Sequence, residues 1–201
     1  GLRPSYQGSN PISDIWATKA VEMVSRNMAR AVHDPDDHEA RSEMTLAATF
    51  AGVGIGNAGV HLPHGMSYPV SGMVQDFIPD DYPAGHPIVP HGMSVILNAP
   101  AVFRFTAPAN PDRHLHAAKL MGADTSGASL EDAGDLLADA IVELAKTMDM
   151  PNGLGAVGYT GNDADALAEG TLPQHRVTKL SPRPADKEAL KDLFMDSMTL
   201  W

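Results

Sequence analysis

Histidines are concentrated in one part of the chain. Of the nine in the sequence, four lie within 31 residues, namely His61, His64, His86 and His91. His61 and His64 are three residues apart, so on a helix their imidazoles would share one face, as two ligands of a single metal ion require. Because the chain has no cysteine, neutral imidazoles would suit Fe, Zn, Ni or Co rather than a thiolate-bound metal. The cluster predicts a metal site, with surface histidines or single hydrogen-bonding groups in a core as the alternative.

The same tripeptide occurs twice around these histidines. It appears as His64-Gly65-Met66 and again as His91-Gly92-Met93. Because glycine has no side chain, each copy would allow another segment of backbone to come close to the histidine beside it. The sequence therefore predicts close packing next to both histidines.

A glycine pattern typical of dinucleotide-binding sites precedes the histidines. Gly54, Gly56 and Gly59 form G-x-G-x-x-G, which in such sites lies between a strand and a helix. Here the preceding residues keep a helical spacing, and Pro63 and Pro69 occur where the following helix is required. We therefore favour a packing role, in which small residues let two helices approach closely, at a cost of about 1 kcal/mol each relative to alanine.

Net charge and hydropathy restrict the possible partners. The chain has 14 Lys and Arg against 25 Asp and Glu, a formal charge of -11, and an acidic surface repels nucleic acids and anionic lipids. No stretch approaches the roughly 18 apolar residues of a membrane span, and no signal peptide is recognisable. We expect a soluble protein with no nucleic-acid or membrane partner. The alanine-rich and aspartate-rich composition without cysteine favours the bacterial cytoplasm.

Apolar residues recur with a helical period along most of the chain, so the predicted fold class is all-α. Helices are predicted over 13–32, 34–58, 114–121, 129–148, 163–169 and 186–198. Asn10 or Ser13 would cap the first helix and Asp34 the second, while Gly122 and Gly170 would end two of the others. Residues 75–90, rich in proline, glycine and acids, have no such period. They predict a long loop that acts as a lid or binding loop or merely decorates the surface.

Several separated segments resemble the second half of iron-containing alcohol dehydrogenases. They are NPISDIWATKAV at 10–21, HDPDDHEARSEM at 33–44, NAGVHLPHGMSYP at 57–69, VPHGMS at 89–94 and RVTKLSPRPADKEALKDLF at 176–194. The matches follow one another in order along nearly the whole chain. Three departures from ordinary members resemble the hydroxyacid-oxoacid transhydrogenase branch. These are His61 in place of glycine, Tyr68 in place of a further histidine, and a long insertion before His91.

The resemblance implies a multi-helix C-terminal domain of the dehydroquinate synthase-like, iron alcohol dehydrogenase type. Residues 1–201 would form a metal-binding helical domain, and the nucleotide-binding α/β domain would be absent from this chain and lie upstream. Family members hold a divalent metal with one aspartate and three histidines, of which the two later histidines match His64 and His91. The aspartate and the remaining histidine are expected before Gly1, so this chain would supply only part of the site.

The resemblance also implies a mechanism. A metal, Fe(II) or Zn(II), would polarise the alcohol oxygen so that it ionises at neutral pH, and hydride would pass to NAD, which the missing N-terminal domain mainly binds. His61 and Tyr68 are candidate catalytic residues that donate hydrogen bonds or relay the proton, and Tyr68 is also a candidate cofactor-binding residue near the nicotinamide. Simple packing of both side chains is the alternative.

We therefore expect an oxidoreductase for a small hydroxyacid or alcohol, with 4-hydroxybutyrate as donor and 2-oxoglutarate as acceptor. At full length it should form a homo-oligomer, whereas the chain alone should be inactive. Arg104 is a candidate for the substrate carboxylate, although an arginine extending from an apolar surface into water is the simpler explanation. Two other functions stay open. One is a non-catalytic helical module that binds a metal or a partner through the same histidines, and the other is a metal-dependent hydrolase.

Overall fold

The computed structural model of the chain describes residues 6–80, 82–83 and 85–201. These residues form α-helices and short 3-10 helices, with no strand among them, so the all-α prediction is confirmed. The α-helices are α1 (Pro11–His33), α2 (His38–Ala58), α3 (Leu62–Gly72), α4 (His91–Ile96), α5 (Ala99–Thr106), α6 (Pro111–Leu120), α7 (Ala133–Thr147), α8 (Ala164–Thr171), α9 (His175–Thr178) and α10 (Lys187–Asp196). The 3-10 helices are Ala107–Ala109, Leu130–Asp132, Leu154–Val157 and Gly161–Asp163. Within the described part of the chain, none of the helices combines the length and the apolar composition needed to cross a membrane.

The first two helices form a long antiparallel pair. Asn10 caps α1, because its side-chain oxygen accepts hydrogen bonds from the amides of Ile12 and Ser13, both at 3.1 Å. Late in α2, a Cβ on Gly54 would lie 3.4 Å from the backbone nitrogen of Ala17 in α1. Gly54 therefore serves close helix packing, as predicted, and the glycine pattern lies at the end of a helix rather than between a strand and a helix.

The second helix begins later than predicted. We expected it to open at Asp34, but α2 starts at His38. Asp34 instead follows the end of α1, where its amide donates to the carbonyl of Arg30 at 2.9 Å. Asp37 is the cap, accepting from the amide of Ala40 at 2.9 Å, and Arg30 binds the same carboxylate at 2.8 Å. Asp34 and Asp37 are both good capping residues. Asp37 differs from Asp34 because it also binds Arg30, which lies in the preceding helix α1.

A helix follows the glycine pattern although Pro63 and Pro69 predicted none. Pro63 lies in the first turn of α3, where a missing amide removes no helical hydrogen bond. Pro69 lies inside α3 and removes one, but it packs on α8, where a Cβ on Gly170 would be 2.8 Å from the Cβ of Pro69. Gly170 thus lets α3 and α8 touch. The prediction that Gly170 ends the helix is wrong, because α8 continues to Thr171.

Two groups of buried apolar side chains hold the shorter helices together. The larger joins α3, α5, α8 and α10, and includes Leu62, Met66, Val70, Leu167 and Phe194. The smaller joins α5, α6 and α7 through Ala99, Ala118, Leu137 and Ile141. The core face of α3 carries its apolar residues, so His64 and Tyr68, one turn apart, lie on a face that remains accessible.

Residues 73–90 connect α3 to α4. Their described members, 73–80, 82–83 and 85–90, form no helix or strand, which confirms the predicted loop for them. Residues 81 and 84 of that prediction lie outside the described residues. The two arms of the loop meet where the amide of Ile88 donates to the carbonyl of Phe77 at 2.7 Å. The chain thereby returns to α3 before α4 begins.

Candidate functional site

The imidazole rings of His64 and His91 face each other. Their centroids lie 5.3 Å apart and their planes are inclined by 61°. Within the described residues, no hydrogen-bonding partner occupies the nitrogens of either ring. Because ligand nitrogens at about 2.1 Å from one ion lie within about 4 Å of each other, this separation is compatible with both rings binding the same ion.

A repeated hydrogen bond supports both histidines. The motif His-Gly-Met-Ser begins at His64 and again at His91, and in each copy the serine hydroxyl donates to the histidine carbonyl at 2.8 Å. The two copies are linked through Ser71 of α3, whose hydroxyl oxygen lies 2.9 Å from that of Ser94 in α4. The first turns of α3 and α4 are therefore built alike, and the bond from the last turn of α3 to the first turn of α4 holds the two helices side by side.

The two glycines of the repeated tripeptide differ in their surroundings. A Cβ on Gly65 would lie 2.8 Å from Cγ2 of Thr178 and 3.5 Å from Cγ2 of Val177, so α9 packs directly on α3 at this point. A Cβ on Gly92 would meet no atom of the described residues within 4 Å. The close approach of a second backbone that both glycines allow is therefore seen at neither of them within the described residues, because side chains of α9 approach Gly65 instead.

Burial keeps the imidazole of His64 neutral. Its pKa is lowered from the ordinary value, first by loss of hydration on burial and then by repulsion from His91. Neutral imidazole is the form that ligates a metal ion. His64 is therefore prepared for ligation at neutral pH.

His61 turns away from the face that carries His64. It precedes α3 in a non-helical conformation, with φ -129° and ψ -141°, and its carbonyl accepts from the amides of His64 and Gly65 at 3.0 and 3.1 Å. Its ring packs edge-on against Phe103 at 6.1 Å between centroids. The expectation that His61 and His64 share a helical face is wrong, because the helix begins one residue after His61.

The ring of His61 borders a cavity of about 450 Å³ together with His114. Its Nδ1 is buried, and no described residue provides a hydrogen-bond partner for it. Burial, reinforced by repulsion from His114 and then His64, lowers the pKa of His61 to about 4. His61 is therefore neutral throughout the physiological pH range.

Hydrogen bonds on both nitrogens fix the ring of His114. Nδ1 lies 2.8 Å from the carbonyl of Asn110, and Nε2 lies 2.9 Å from the hydroxyl of Thr106. Because a carbonyl only accepts, Nδ1 carries a proton. The hydroxyl of Thr106 also lies 3.0 Å from the carbonyl of Val102, so that carbonyl and Nε2 share its single hydrogen. Burial lowers the pKa of His114. No sequence pattern predicted that His114 lies beside His61, because the two histidines are far apart along the chain.

Tyr68 lies one turn after His64 in α3 and is 37% exposed. Nη2 of Arg176, in α9, donates to its phenol oxygen at 3.3 Å. Tyr68, His86 and His91 all border a second cavity, of about 490 Å³. The structure therefore places Tyr68, which Arg176 contacts, on a cavity that His91 also borders. Sequence reasoning gave Arg176 no role, because only its contact with Tyr68 distinguishes it from other surface arginines.

Arg104 does not serve as a free cation. Its Nε lies 2.7 Å from Asp135 and its Nη2 lies 2.7 Å from Asp139, both in α7. Two carboxylates already neutralise this guanidinium, so the simpler explanation, an arginine that extends into water, agrees with the structure.

The described residues do not form a complete metal site by themselves. Among them, no group of three or more histidine, cysteine, aspartate or glutamate side chains is arranged to hold an ion. Two imidazoles bind a metal weakly compared with a complete set of ligands. His64 and His91 are thus the candidate ligands that this part of the chain contributes.

The arrangement of helices matches that of known dehydrogenases. It is similar to the crystal structure of 1,3-propanediol oxidoreductase with a TM-score of 0.84 and 26% identity, over 95% of this chain and 46% of that one. Residues 5–198 match the family described as Fe-containing alcohol dehydrogenase family, C-terminal, and the chain belongs to this family. The resemblance inferred from the sequence is confirmed.

Two curated relatives extend the comparison. The mitochondrial hydroxyacid-oxoacid transhydrogenase of Pongo abelii is 57% identical over 199 residues, and that of Homo sapiens is 56% identical over 199 residues. In both cases the match covers 99% of this chain and 43% of the relative. The chain therefore spans less than half the length of these relatives, and the similarity supports the predicted transhydrogenase branch.

The predicted location in the bacterial cytoplasm is wrong. The relatives that match the chain at 56–57% identity are named as mitochondrial proteins of eukaryotes. Composition misled the prediction, because a low cysteine content is compatible with more than one compartment and abundant alanine reflects helix formation.

Proposed function

We propose that this chain is the metal-binding helical domain of a longer oxidoreductase, which transfers hydride between a small hydroxyacid or alcohol and NAD or an oxoacid. The observation that carries the proposal is the 5.3 Å separation of the His64 and His91 rings, whose nitrogens have no hydrogen-bond partner among the described residues. The 56–57% identity to hydroxyacid-oxoacid transhydrogenases supports a hydroxyacid as donor and an oxoacid as acceptor, and we propose 4-hydroxybutyrate and 2-oxoglutarate for these two roles.

The donor set fits a divalent metal. His64 and His91 offer two imidazole nitrogens on adjoining helices, and an aspartate and a histidine preceding Gly1 would complete the site. When bound there, Fe(II) or Zn(II) supplies a Lewis acid that favours ionisation of the substrate hydroxyl. NAD would be held mainly by an upstream domain, because the G-x-G-x-x-G of this chain lies at the end of α2 and opens no phosphate-binding turn.

Tyr68 is better suited than His61 to exchange hydrogen bonds with the reactants. Its phenol group is partly exposed, on the same face of α3 as His64. A relay through His61 would pass through an imidazolium that burial disfavours, since the pKa of His61 is about 4. We therefore propose Tyr68 as the hydrogen-bonding residue near the nicotinamide, and a neutral, positioning role for His61.

Metal content of the full-length protein tests the proposal. His64→Ala and His91→Ala should each lower the affinity for Fe(II) or Zn(II) by more than the roughly 10- to 100-fold that removing a ligand's hydrogen-bond partner costs. Hydride transfer from 4-hydroxybutyrate to 2-oxoglutarate should be lost with the metal. The matched control is His116→Ala, which removes an exposed histidine of α6. Unchanged metal binding in both site variants would rule out these residues as ligands.

A further inference from the structure

We propose that Arg176, oriented by Tyr68, binds the carboxylate of the hydroxyacid substrate beside the paired histidines. The inference rests on the proposed function and adds a residue that determines substrate specificity. The cation that binds the substrate carboxylate would be Arg176 of α9 and not Arg104, which two aspartates already neutralise.

The geometry connects Arg176 to the site in two steps. Nη2 of Arg176 lies 3.3 Å from the phenol oxygen of Tyr68, and Tyr68 lies one turn after His64 on the same face of α3. Tyr68 also borders the cavity of about 490 Å³ that His91 borders. The guanidinium therefore contacts a residue that borders the same cavity as a candidate metal ligand.

The guanidinium of Arg176 retains donors for a ligand. Arg176 has five N–H groups, and only one of them donates to Tyr68. The others form the planar fork that matches a carboxylate. Within the described residues Arg176 makes no ion pair, although acids outnumber bases in this chain by 25 to 14. Four other arginines do pair with acids, namely Arg26, Arg30, Arg104 and Arg113.

Two further arginines lack an acidic partner within the described residues but lie in different settings. Arg183 stacks on the ring of Phe105 at 4.1 Å and donates to the carbonyl of that residue at 3.1 Å. Arg41 is in the first turn of α2, roughly 25 Å along that helix from the end that leads to α3. Arg176 differs from both because its contact is a residue of the candidate site.

Packing fixes the backbone that carries Arg176. The neighbouring Val177 is buried, with 4% of its surface exposed. Thr178 meets α3 at Gly65, where a Cβ would lie 2.8 Å from its Cγ2. The side chain of Arg176 therefore extends from a short helix that is anchored against α3, which limits the rearrangement needed to receive a ligand.

A hydroxyacid would engage this arrangement at both ends. Its hydroxyl would lie on the side of His64 and His91, and its carboxylate would meet the fork of Arg176. A neutral alcohol of the same length would use only the first contact. The arrangement thus predicts selectivity for acids over alcohols.

Kinetics of the full-length metal-loaded protein test this selectivity. We compare kcat/KM for 4-hydroxybutyrate and for 1-butanol in wild type, Arg176→Gln, Arg176→Lys and the matched control Arg41→Gln. The ratio of acid to alcohol should fall about 10- to 100-fold in Arg176→Gln. It should fall less in Arg176→Lys, which keeps the charge but not the fork, and it should be unchanged in Arg41→Gln. A ratio that Arg176→Gln leaves unchanged would overturn the proposal.

A binding measurement separates this proposal from the proposed function. If wild type oxidises neither compound, the oxidoreductase assignment fails, but the carboxylate site is still decided by saturation-transfer NMR with butyrate as the probe. Butyrate should receive saturation from wild type and Arg41→Gln, and this transfer should be lost with Arg176→Gln. Equal transfer in all three proteins would show that Arg176 holds no carboxylate.

Discussion

A Cβ on Gly65 would lie 2.8 Å from Cγ2 of Thr178, so α3 and α9 meet at a glycine immediately after a candidate metal ligand. The methyl group belongs to a short β-branched side chain whose hydroxyl donates to the carbonyl of Gln174 at 3.1 Å. Such a side chain has few rotamers with which to move aside. Contact between the two helices therefore depends on the absence of a side chain at position 65.

The first prediction compares the two glycines of the repeated tripeptide. Gly65→Ala and Gly92→Ala both gain up to about 1 kcal/mol of helix propensity. Only Gly65→Ala forces Thr178 or α9 to shift, so it should be less stable than Gly92→Ala by about 1–3 kcal/mol. Urea denaturation of both variants and wild type measures the difference. Equal free energies of unfolding would show that the approach of α9 to α3 is not tight.

The second prediction concerns pH and His61. Its pKa is about 4 in the folded chain, against about 6.5 for unperturbed histidine, so the unfolded chain takes up a proton first as the pH falls. The contribution of a neutral His61 to the free energy of unfolding is complete above about pH 6.5. It should decrease by about 3 kcal/mol towards pH 4.

Urea denaturation between pH 7.5 and 4, with EDTA to exclude metal, measures this dependence. His61→Gln should remove about 3 kcal/mol of it and leave the part that the lowered pKa values of His64 and His114 contribute. His116→Gln, at an exposed position of α6, should keep the whole dependence. Identical pH profiles for wild type and His61→Gln would mean that His61 is not buried as described.

The third prediction concerns the 201-residue chain alone. Its apolar core should support a helical fold visible by circular dichroism. With Fe(II) or Zn(II), NAD and 4-hydroxybutyrate it should form no reduced cofactor, because two imidazoles hold an ion weakly and no phosphate-binding loop is present among the described residues. Turnover well above a His64→Ala control would contradict this expectation.

The fourth prediction concerns Tyr68 in the full-length protein. Tyr68→His removes the phenol oxygen that accepts from Arg176 at 3.3 Å, so it should weaken retention of NAD and shift activity from transhydrogenation towards exchange with free NAD. The NAD that remains bound through gel filtration measures the effect. Tyr82→His, in the exposed loop, is the control. Equal retention in all three proteins would count against a role for Tyr68 in holding the cofactor.

Local patterns predicted most helices, whereas contacts distant in sequence decided the rest. The apolar period and the Asn10 cap suffice for α1, because both act within a few residues. The start of α2 depends on Arg30 reaching Asp37, and a helix containing Pro69 depends on packing against Gly170. Neither contact has a local signature in the sequence.

The candidate site, like the fold, could be predicted from the sequence only in part. His64 and His91 could be inferred from their motifs and from resemblance. The neighbourhood of His61 and His114, and that of Tyr68 and Arg176, arises only when α5, α6 and α9 pack around α3. Their spacing along the chain carries no period that could have indicated either pair.

The loop between α3 and α4 is closed at its base by bonds that do not involve its tip. Ser71 binds the carbonyl of Val89 at 3.2 Å and the hydroxyl of Ser94 at 2.9 Å, while Ile88 binds Phe77 at 2.7 Å. The distance between the two imidazoles is thus set beneath the loop. A segment of different length or composition can be grafted between Phe77 and Ile88 to reshape the entrance to the site while the histidines keep their separation.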